Sequence, residues 1–275
     1  MRYDLHCHST RSDGLLTPSE VVRRAAARGV DVLALTDHDE VGGLDEAREA
    51  AVDAGIELVC GSELSVSWEQ LTIHVLALNV DPRHPELADG LERIRSGRDG
   101  RARLIGESLA AVGVQGAYEG ARRYVTSDQL ISRTHFARFL VEAGHAQEVK
   151  DVFSRYLTPG RPGYVPHAWA DLDEALRWIH AAGGQAVLAH PGRYKVGESD
   201  MQRLLAEFRD RGGDAIEVLS PSHTAATVAR FAAHARAYGL AASTGSDYHG
   251  PGESRLDLGD LPPLPAGVVP VWDRW

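Results

Sequence analysis

The sequence predicts an α/β protein whose strands close into a distorted (β/α)7 TIM-like barrel, with a mostly helical insertion capping the C-terminal face of the strands. Strand-like and helix-like segments alternate near both ends of the chain, which is typical of parallel strands joined by crossover helices. About seven strands in 275 residues fit a closed or nearly closed barrel better than a doubly wound sheet. The first strand is not followed by Gly-x-Gly-x-x-Gly, which disfavours a dinucleotide-binding fold.

The first half of the barrel follows from apolar runs and helix signals. A strand begins at RYDLH, and the segment TPSE that follows is a capping box with proline at the first helical position. The first helix ends at Gly29, a strand covers Val32 to Thr36, and the second helix ends at Gly55. The runs IELVCGSEL and LTIHVLALNV predict the third and fourth strands.

Residues 84–168 interrupt this alternation with helical, arginine-rich sequence, so we expect barrel segments at 1–83 and 169–275 with a cap subdomain between them. The alternation resumes with the helix signal DLDE. The strands expected next are QAVLAHPGRY, DAIEVLS and LAASTGSDYHG, separated by helices near residues 199–211 and in HTAATVARFAAHARAYG. The tail with LPPLP is expected to be a surface loop.

Composition narrows the classes of partner. A net charge of −10 argues against broad binding to duplex DNA, which needs a basic surface, but leaves a small phosphorylated substrate or a short RNA end open. No apolar run approaches the roughly 20 residues of a membrane span, and no signal peptide is evident. Two cysteines give no disulfide framework, so we expect a cytoplasmic protein with Cys7 in the core. The oligomeric state is left open.

Histidines and carboxylates collect where the predicted strands end. His6 and His8 lie two apart and share one face of the first strand, because side chains alternate along a strand. Further candidates lie at or just after the other strand ends: Asp13, Asp37, His38, Asp39, Glu63, His190, Asp247 and His249. Two more lie within predicted strands, His74 in the fourth and Glu217 in DAIEVLS. The C-terminal ends of parallel barrel strands open on one face, so these groups are expected to meet there.

Imidazole and carboxylate without thiolate suit divalent Zn, Mn or Fe, and so many ligands imply two to three ions. One histidine at a strand end, such as His6 alone, is more often a hydrogen-bonded or exposed residue than a metal ligand. Asp37 and Asp39 suit hydrogen-bonding partners or turn caps as well as ligands, and Glu217 suits a buried paired carboxylate. The whole set is harder to explain without metal, because unpaired ionisable groups at one face repel each other and are costly to desolvate.

Six separated motifs, DLHCHSTRSDG, LTDHD, GSELS, IHVLAL, LAHPGRY and GSDYHG, occur in the order found in the PHP (polymerase and histidinol phosphatase) family. The whole chain resembles the TrpH-type branch of that family, which includes a nucleotide 3′,5′-bisphosphate phosphatase and a 5′→3′ exoribonuclease. The resemblance implies the PHP barrel with its helical insertion.

It also implies a trinuclear metal site. In that pattern His6 and His8 bind one ion with Glu63 and Asp247, and Glu63 bridges to a second ion held by His74 and His190. The third ion is held by Asp13, His38 and His249. Some family members have histidine in place of Asp13, and a carboxylate there favours harder ions such as Mn or Fe.

Substrate contacts are expected from side chains beside this face. Arg133 and His135 lie in the insertion, Arg193 in the turn after His190, and His223 just beyond a strand end. A hydroxide bridging two ions is expected to attack phosphorus in line, with arginines neutralising the phosphate oxygens. The predicted catalytic residues are Glu63, Asp247 and His223, with His223 as the acid that protonates the leaving oxygen.

A metal-dependent phosphoesterase acting on nucleotides or short 5′-phosphorylated RNA is therefore the predicted function. Histidinol phosphate is an alternative substrate. Hydrolysis of an amide or amino group in a similar barrel is disfavoured, because neither Lys150 nor Lys195 ends a predicted strand to supply a carbamylated lysine. A non-catalytic PHP module is disfavoured because all nine expected ligand positions are filled.

Overall fold

A computed structural model describes residues 1–126 and 130–275. Seven strands form one continuous path, and an eighth, β5, pairs with β3 outside it. In chain order the strands are β1 (Tyr3–Asp4), β2 (Val32–Leu35), β3 (Glu57–Trp68), β4 (Leu71–Leu78), β5 (Ala170–Asp171), β6 (Gln185–Leu188), β7 (Ala215–Leu219) and β8 (Ala241–Thr244). The path runs β1-β2-β3-β4-β6-β7-β8.

The barrel nearly closes between the first and last strands. Leu5 N–H donates to the Thr244 carbonyl at 3.0 Å, and Asp247 N–H donates to the His6 carbonyl at 2.8 Å. The segment after β8 thus runs beside the segment after β1, and the two ends of the path come together. The predicted barrel architecture is confirmed.

One strand departs from the expected parallel arrangement. β4 runs antiparallel to both β3 and β6, because β3 and β4 form a hairpin across Glu69 and Gln70. Glu69 adopts the left-handed backbone conformation, with φ of 52°, that such a tight turn requires. The sheet is therefore mixed, and the residues at the start of β4 lie beside the end of β3.

The helices between and around the strands are α1 (Pro18–Ala27), α2 (Leu44–Ala54), α3 (Pro85–Ser96), α4 (Arg98–Ala110), α5 (Ala117–Arg122), α6 (Arg133–Glu142), α7 (Val149–Val152), α8 (Leu172–Ala181), α9 (Glu198–Asp210) and α10 (Ala225–Tyr238). A π-helical turn, Phe153–Leu157, follows α7, and 3-10 turns cover Pro191–Arg193 and Val271–Arg274. The predicted capping boxes of α1 and α8 are present, and Gly55 ends α2 with φ of 70°.

Small and branched side chains fill the barrel interior, since alternate strand residues face inward. They are Leu5, Val32, Ala34, Val59, Leu76, Leu78, Val187, Ala189, Ala215 and Ala241, joined by Val271 from the C-terminal turn. Trp272 stacks on Tyr3 with ring centres 3.8 Å apart, so the C-terminal turn covers the strand starts. Cys7 is buried in the layer between β2 and α1 and α2, as expected for a core residue.

The insertion has an apolar cluster of its own, running from Ala102 to Leu157. By contrast Leu87, Leu91 and Ile94 of α3 pack in the core shared by the barrel and α8. The division of the chain at residues 84 and 168 stays a prediction, and this packing suggests that a functional cap begins after α3. Within the described ranges, no helix has the length and apolar character needed to cross a membrane.

Candidate metal centre

Four predicted ligands converge at the end of the barrel. His6 Nε2 and His8 Nε2 are 3.2 Å apart. Each lies 3.4 Å from Glu63 Oε2, and Asp247 Oδ1 lies 3.4 Å from the first and 3.2 Å from the second. Two ligand atoms about 2.1 Å from one ion stand roughly 3.0–3.4 Å apart at tetrahedral or octahedral angles, so these spacings suit a shared ion.

A second group surrounds the other oxygen of Glu63. His74 Nδ1 lies 2.8 Å from Glu63 Oε1, and His190 Nε2 lies 2.9 Å from the same oxygen. His74 reaches this position because antiparallel β4 starts where the parallel strands end. The two oxygens of Glu63 therefore face two different ligand sets, which is the geometry of a bridging carboxylate.

The remaining predicted ligands lie beside the first group. Asp13 Oδ1 is 3.4 Å from His249 Nε2 and 3.8 Å from His38 Nε2. His38 also places Nδ1 3.0 Å from Glu63 Oε2, so its ring stands between the bridging carboxylate and Asp13. All nine predicted ligands are thus brought together, whereas the assignment of each to a particular ion stays a prediction.

Two of the predicted ligands lie in strained backbone at the strand ends. His190 and Asp247 have φ of 29° and 48°, a region that non-glycine residues rarely adopt. Asp39, next to His38, has φ of 50°. Such strain persists where the surroundings hold it in place and is frequent at functional sites. Here it turns the side chains at the ends of β6 and β8 over the barrel mouth.

Electrostatics keep the carboxylates ionised. Burial raises the pKa of Glu63, but His74, His38 and His6 outweigh it and hold that pKa well below its usual range. Arg193, His6 and His8 do the same for the pKa of buried Asp247. Burial, with His249 and His38 nearby, lowers the pKa of His8 to about 3, so this imidazole is neutral and able to bind a cation at neutral pH.

The donor atoms fit divalent metal ions. Glu63 Oε2 and Asp13 Oδ1 are buried and accept no hydrogen bond from the part of the chain that the structure describes. Histidine nitrogens nevertheless lie around each oxygen at 3.0–3.8 Å. A buried anionic oxygen without a hydrogen-bond donor is costly, and a cation bound between the ligands removes that cost.

Supporting hydrogen bonds orient the ligands. Glu217, left open in the sequence between a ligand and a paired carboxylate, accepts a hydrogen bond from His6 Nδ1 at 2.9 Å. This contact fixes the tautomer that leaves His6 Nε2 free to bind an ion. Asp37 accepts bonds from Ser9 and Ser12 and holds the β1 loop in place. Asp37 and Glu217 are thus placed as supporting residues.

Arg98 and Arg101 of α4 also line the cavity at this site, although nothing in the sequence pattern singled them out. Both guanidinium groups lie over the ring of Trp169, at 4.9 and 5.3 Å from its centre, and Arg98 also forms an ion pair with Asp39. Burial, with Arg133 and Arg98 nearby, lowers the pKa of Arg101 to about 9. A helical, arginine-rich segment has no local signal that separates such residues from solvated ones.

A cavity of about 470 Å³ lies above the ligands. Glu63, His74, His190 and Asp247 are in its floor, and its walls carry the cationic side chains of Arg98, Arg101, Arg133, Lys150, Arg193 and Arg255. Arg193 places a guanidinium nitrogen 2.7 Å from Asp247 Oδ2. Arg133 donates to the Leu157 carbonyl at 3.2 Å and faces the ring of Phe153. Arg133 and Arg193 thus both line the cavity, and their contact with a phosphate stays a prediction.

Two other predicted substrate residues lie away from the cavity wall. His135 is fully buried, and its Nδ1 accepts a hydrogen bond from Ser132 N–H at 3.0 Å at the start of α6. His223 donates from Nδ1 to the Val218 carbonyl at 2.9 Å, and its Nε2 accepts from Gly192 N–H at 3.1 Å. In this conformation neither ring contacts the cavity, so their roles at the substrate stay predictions.

Comparisons with known proteins agree with this architecture. A family model described as the PHP domain matches residues 4–211. A 3′,5′-nucleoside bisphosphate phosphatase of Chromobacterium violaceum is 52% identical over 269 residues, covering 98% of this chain and 94% of that protein. A 5′-3′ exoribonuclease of Haemophilus influenzae is 42% identical over 274 residues, covering 100% and 99% of the two chains.

A solved structure of an amidohydrolase from Chromobacterium violaceum, with bound sulfate and no metal, superimposes with a TM-score of 0.96 at 51% identity, covering 100% of this chain and 95% of that chain. The family match covers well over half of the chain, and both curated relatives align along nearly its whole length. The sequence matches to the curated relatives therefore span the whole barrel, including the predicted ligands at its mouth. The chain belongs to the PHP domain family.

Proposed function

We propose that this chain is a metal-dependent phosphoesterase that hydrolyses phosphate esters of nucleotides, with a 3′,5′-bisphosphonucleotide as its leading substrate. The observation that carries the proposal is the pairing of a carboxylate-bridged ligand cluster with arginines across one cavity. The names of the curated relatives, a bisphosphate phosphatase and an exoribonuclease, support the same class of reaction.

We assign the nine ligands to three ions: His6, His8, Glu63 and Asp247 to the first, Glu63, His74 and His190 to the second, and Asp13, His38 and His249 to the third. Mn, Fe and Zn all suit these donors, and Asp13 favours the harder two. When bound, the ions supply Lewis-acid activation of water and neutralise charge on the reacting phosphate.

The protein's own residues bind and orient the substrate. Arg193, beside Asp247 at the mouth of the barrel, is placed to contact the reacting phosphate. Arg101 and Arg133 lie in the wall formed by the insertion, and no carboxylate in the described ranges forms an ion pair with Arg101. A second phosphate at this wall would receive charge-assisted hydrogen bonds, which favours a substrate with two phosphates.

The donor of a proton to the leaving oxygen stays a prediction. Both ring nitrogens of His223 are engaged, Nδ1 with the Val218 carbonyl and Nε2 with Gly192 N–H. One of these hydrogen bonds would have to break before His223 could donate a proton to the substrate. The test is His223→Asn assayed with an alkyl and an activated aryl phosphate ester. A rate loss confined to the alkyl ester supports proton donation, because the aryl leaving group needs no acid. An equal loss of rate with both esters would instead indicate that His223 packs beneath the turn Pro191–Arg193 and does not donate a proton.

Trimming of short 5′-phosphorylated RNA is the second candidate. Lys150 and Arg255 are exposed cations at the cavity, where they could contact the backbone of a longer substrate. The related amidohydrolase structure keeps amide hydrolysis as an alternative to exclude by assay. Histidinol phosphate remains an alternative phosphoester.

The proposal is tested with metal-loaded protein and four substrates: adenosine 3′,5′-bisphosphate, a 5′-phosphorylated oligoribonucleotide, histidinol phosphate and a simple amide. We expect phosphate release from the bisphosphate, abolished by a chelator and restored by Mn²⁺. Mononucleotide release from the RNA would add the second activity. Inertness toward all three phosphoesters would overturn the proposal.

A further inference from the structure

The first helical turn of α6 contacts the loop that carries Asp13. Ser132, the residue before α6, donates its hydroxyl to Asp13 Oδ2 at 2.9 Å. The Ser132 hydroxyl oxygen in turn accepts a hydrogen bond from Thr134 N–H at 3.1 Å and so caps the helix. Both Ser132 and Asp13 are buried. One hydroxyl thus joins the start of the helix to a candidate metal ligand.

A second contact fixes α6 against the same loop. Arg138 donates to the Asp13 main-chain carbonyl at 2.6 Å. It also donates to both carboxylate oxygens of Glu253, at 2.8 and 2.7 Å, in the loop after β8. Arg138 is itself buried, so α6 is held to two of the loops that surround the metal ligands.

The side-chain contact decides which oxygen of Asp13 is available to an ion. Because Ser132 occupies Oδ2, Oδ1 is turned toward His249 Nε2, 3.4 Å away, and accepts no hydrogen bond from the described residues. Gly14 follows Asp13 so close to the His8 backbone that a Cβ there would clash, so the barrel fixes the main chain at this point. The orientation of the Asp13 carboxylate then depends on its hydrogen bond with the Ser132 hydroxyl.

We propose that Ser132 is a positioning residue that couples the third ion to the placement of α6. The inference rests on the third ion of the proposed function. Ser132 presents Asp13 Oδ1 to that ion, and the bound ion in turn holds Asp13 where it stabilises the start of α6. By linkage, the helix raises the affinity for the ion as much as the ion stabilises the helix.

The coupling extends to the substrate wall. Arg133 follows Ser132 directly and lines the cavity from the first turn of α6. An ion at Asp13 therefore helps to order the arginine proposed to bind the second phosphate. We therefore expect the phosphate wall to be more ordered when the metal centre is filled.

The test measures metal binding and helix order without substrate. Mn²⁺ is titrated into metal-free protein by calorimetry, and hydrogen exchange of residues 133–142 is followed with and without Mn²⁺, with α10 as an internal reference. In the wild type we expect three ions to bind and Mn²⁺ to slow exchange in α6 more than in α10. In Ser132→Ala we expect one ion to bind about 10-fold more weakly and the extra protection of α6 to be lost.

Matched variants separate this role from capping alone. Ser132→Thr keeps the hydroxyl and is expected to restore both measurements. Asp171→Ala removes the carboxylate that caps α8 by accepting a hydrogen bond from Glu174 N–H. This variant is expected to leave the binding of all ions unchanged. If Ser132→Ala fails to fold, Ser132→Cys keeps the size with a weaker donor and is expected to change both measurements in the same direction.

Three results would overturn the inference. The first is that Mn²⁺ slows hydrogen exchange in α6 of the wild type no more than in α10. The second is that Ser132 variants without the hydroxyl bind every ion with wild-type affinity. The third is that these variants bind all ions more weakly by the same factor. Three ions in the wild type together with any of these would leave the proposed function intact. Only two ions in the wild type would overturn the three-ion assignment as well.

Discussion

Glu217 and His6 form a buried pair in which the carboxylate of β7 accepts a hydrogen bond from Nδ1 of the imidazole at 2.9 Å. Glu217 Oε2 also accepts from the main-chain N–H of His190. One carboxylate therefore orients a ligand of the first proposed ion and the backbone of a ligand of the second.

Replacing Glu217 by glutamine is expected to weaken metal binding. The amide keeps the size, but loses the charge that makes His6 a stronger donor to the ion, and such supporting groups contribute roughly 10–100-fold to metal affinity. Competition with a chelator measures the change. Glu198→Gln is the control and should bind metal as the wild type does, because the exposed Glu198 carboxylate pairs with His234 away from the proposed metal site. Equal affinities in the two variants would contradict the role of Glu217.

Replacing Glu63 by glutamine is expected to weaken the binding of two ions, because its two oxygens face separate ligand sets. Metal content by elemental analysis should fall by at least one ion, and kcat should fall by about 10³-fold, as for loss of a major transition-state stabiliser. Full metal content in Glu63→Gln would show that Glu63 does not bridge.

Arg133→Ala is expected to act through the phosphate that does not react. KM for a 3′,5′-bisphosphonucleotide should rise by about 10–100-fold, corresponding to roughly 1.5–3 kcal/mol for a lost charge-assisted hydrogen bond. KM for the 3′-monophosphate should change little. Arg103→Ala, on the exposed side of α4, is the control. The same loss of affinity for both substrates would place Arg133 elsewhere in the mechanism.

Metal binding is expected to release protons. Burial lowers the pKa of His249, but Asp13 and Asp247 outweigh it and raise that pKa to about 9 in the metal-free protein. Glu63, Glu217 and Asp247 likewise outweigh burial and raise the pKa of His6 well above its usual value. At pH 7 an ion must displace these protons, so metal affinity should rise with pH, and for the ion that His249 holds the rise should continue until about pH 9. Calorimetry in buffers of different ionisation enthalpy measures the release, and its absence at pH 7 would contradict these raised pKa values.

The clustering of the nine predicted ligands could be foreseen from the sequence because most of them follow short apolar strands, and strand ends gather at one face of a barrel. The direction of β4 was not predictable in this way. The turn residues Glu69 and Gln70 lack the glycine or asparagine that usually marks a tight hairpin, so the strand looked like another parallel one. His74 was nonetheless among the candidates, and the family resemblance implied its place at the second ion.

The insertion was the least predictable part of the site. Ser132 and Arg138 contact Asp13 across 119 and 125 residues, and no local periodicity encodes such a distance. His135 lies in the same motif as Arg133, yet it faces the interior because it closes the capping box of α6. Sequence reasoning found the segment, whereas the choice among its polar residues required the three-dimensional packing.

The reversed direction of β4 makes one ligand unusually sensitive to insertions and deletions. His74 pairs with Ser65 across the hairpin, while its neighbours Ile73 and Val75 are buried in the apolar core on the opposite face. Adding or removing a single residue in the turn that shifts this pairing by one position would exchange the imidazole for an aliphatic side chain. A change in the length of the β3–β4 turn would therefore alter the ligand set directly, even though the turn lies outside the site.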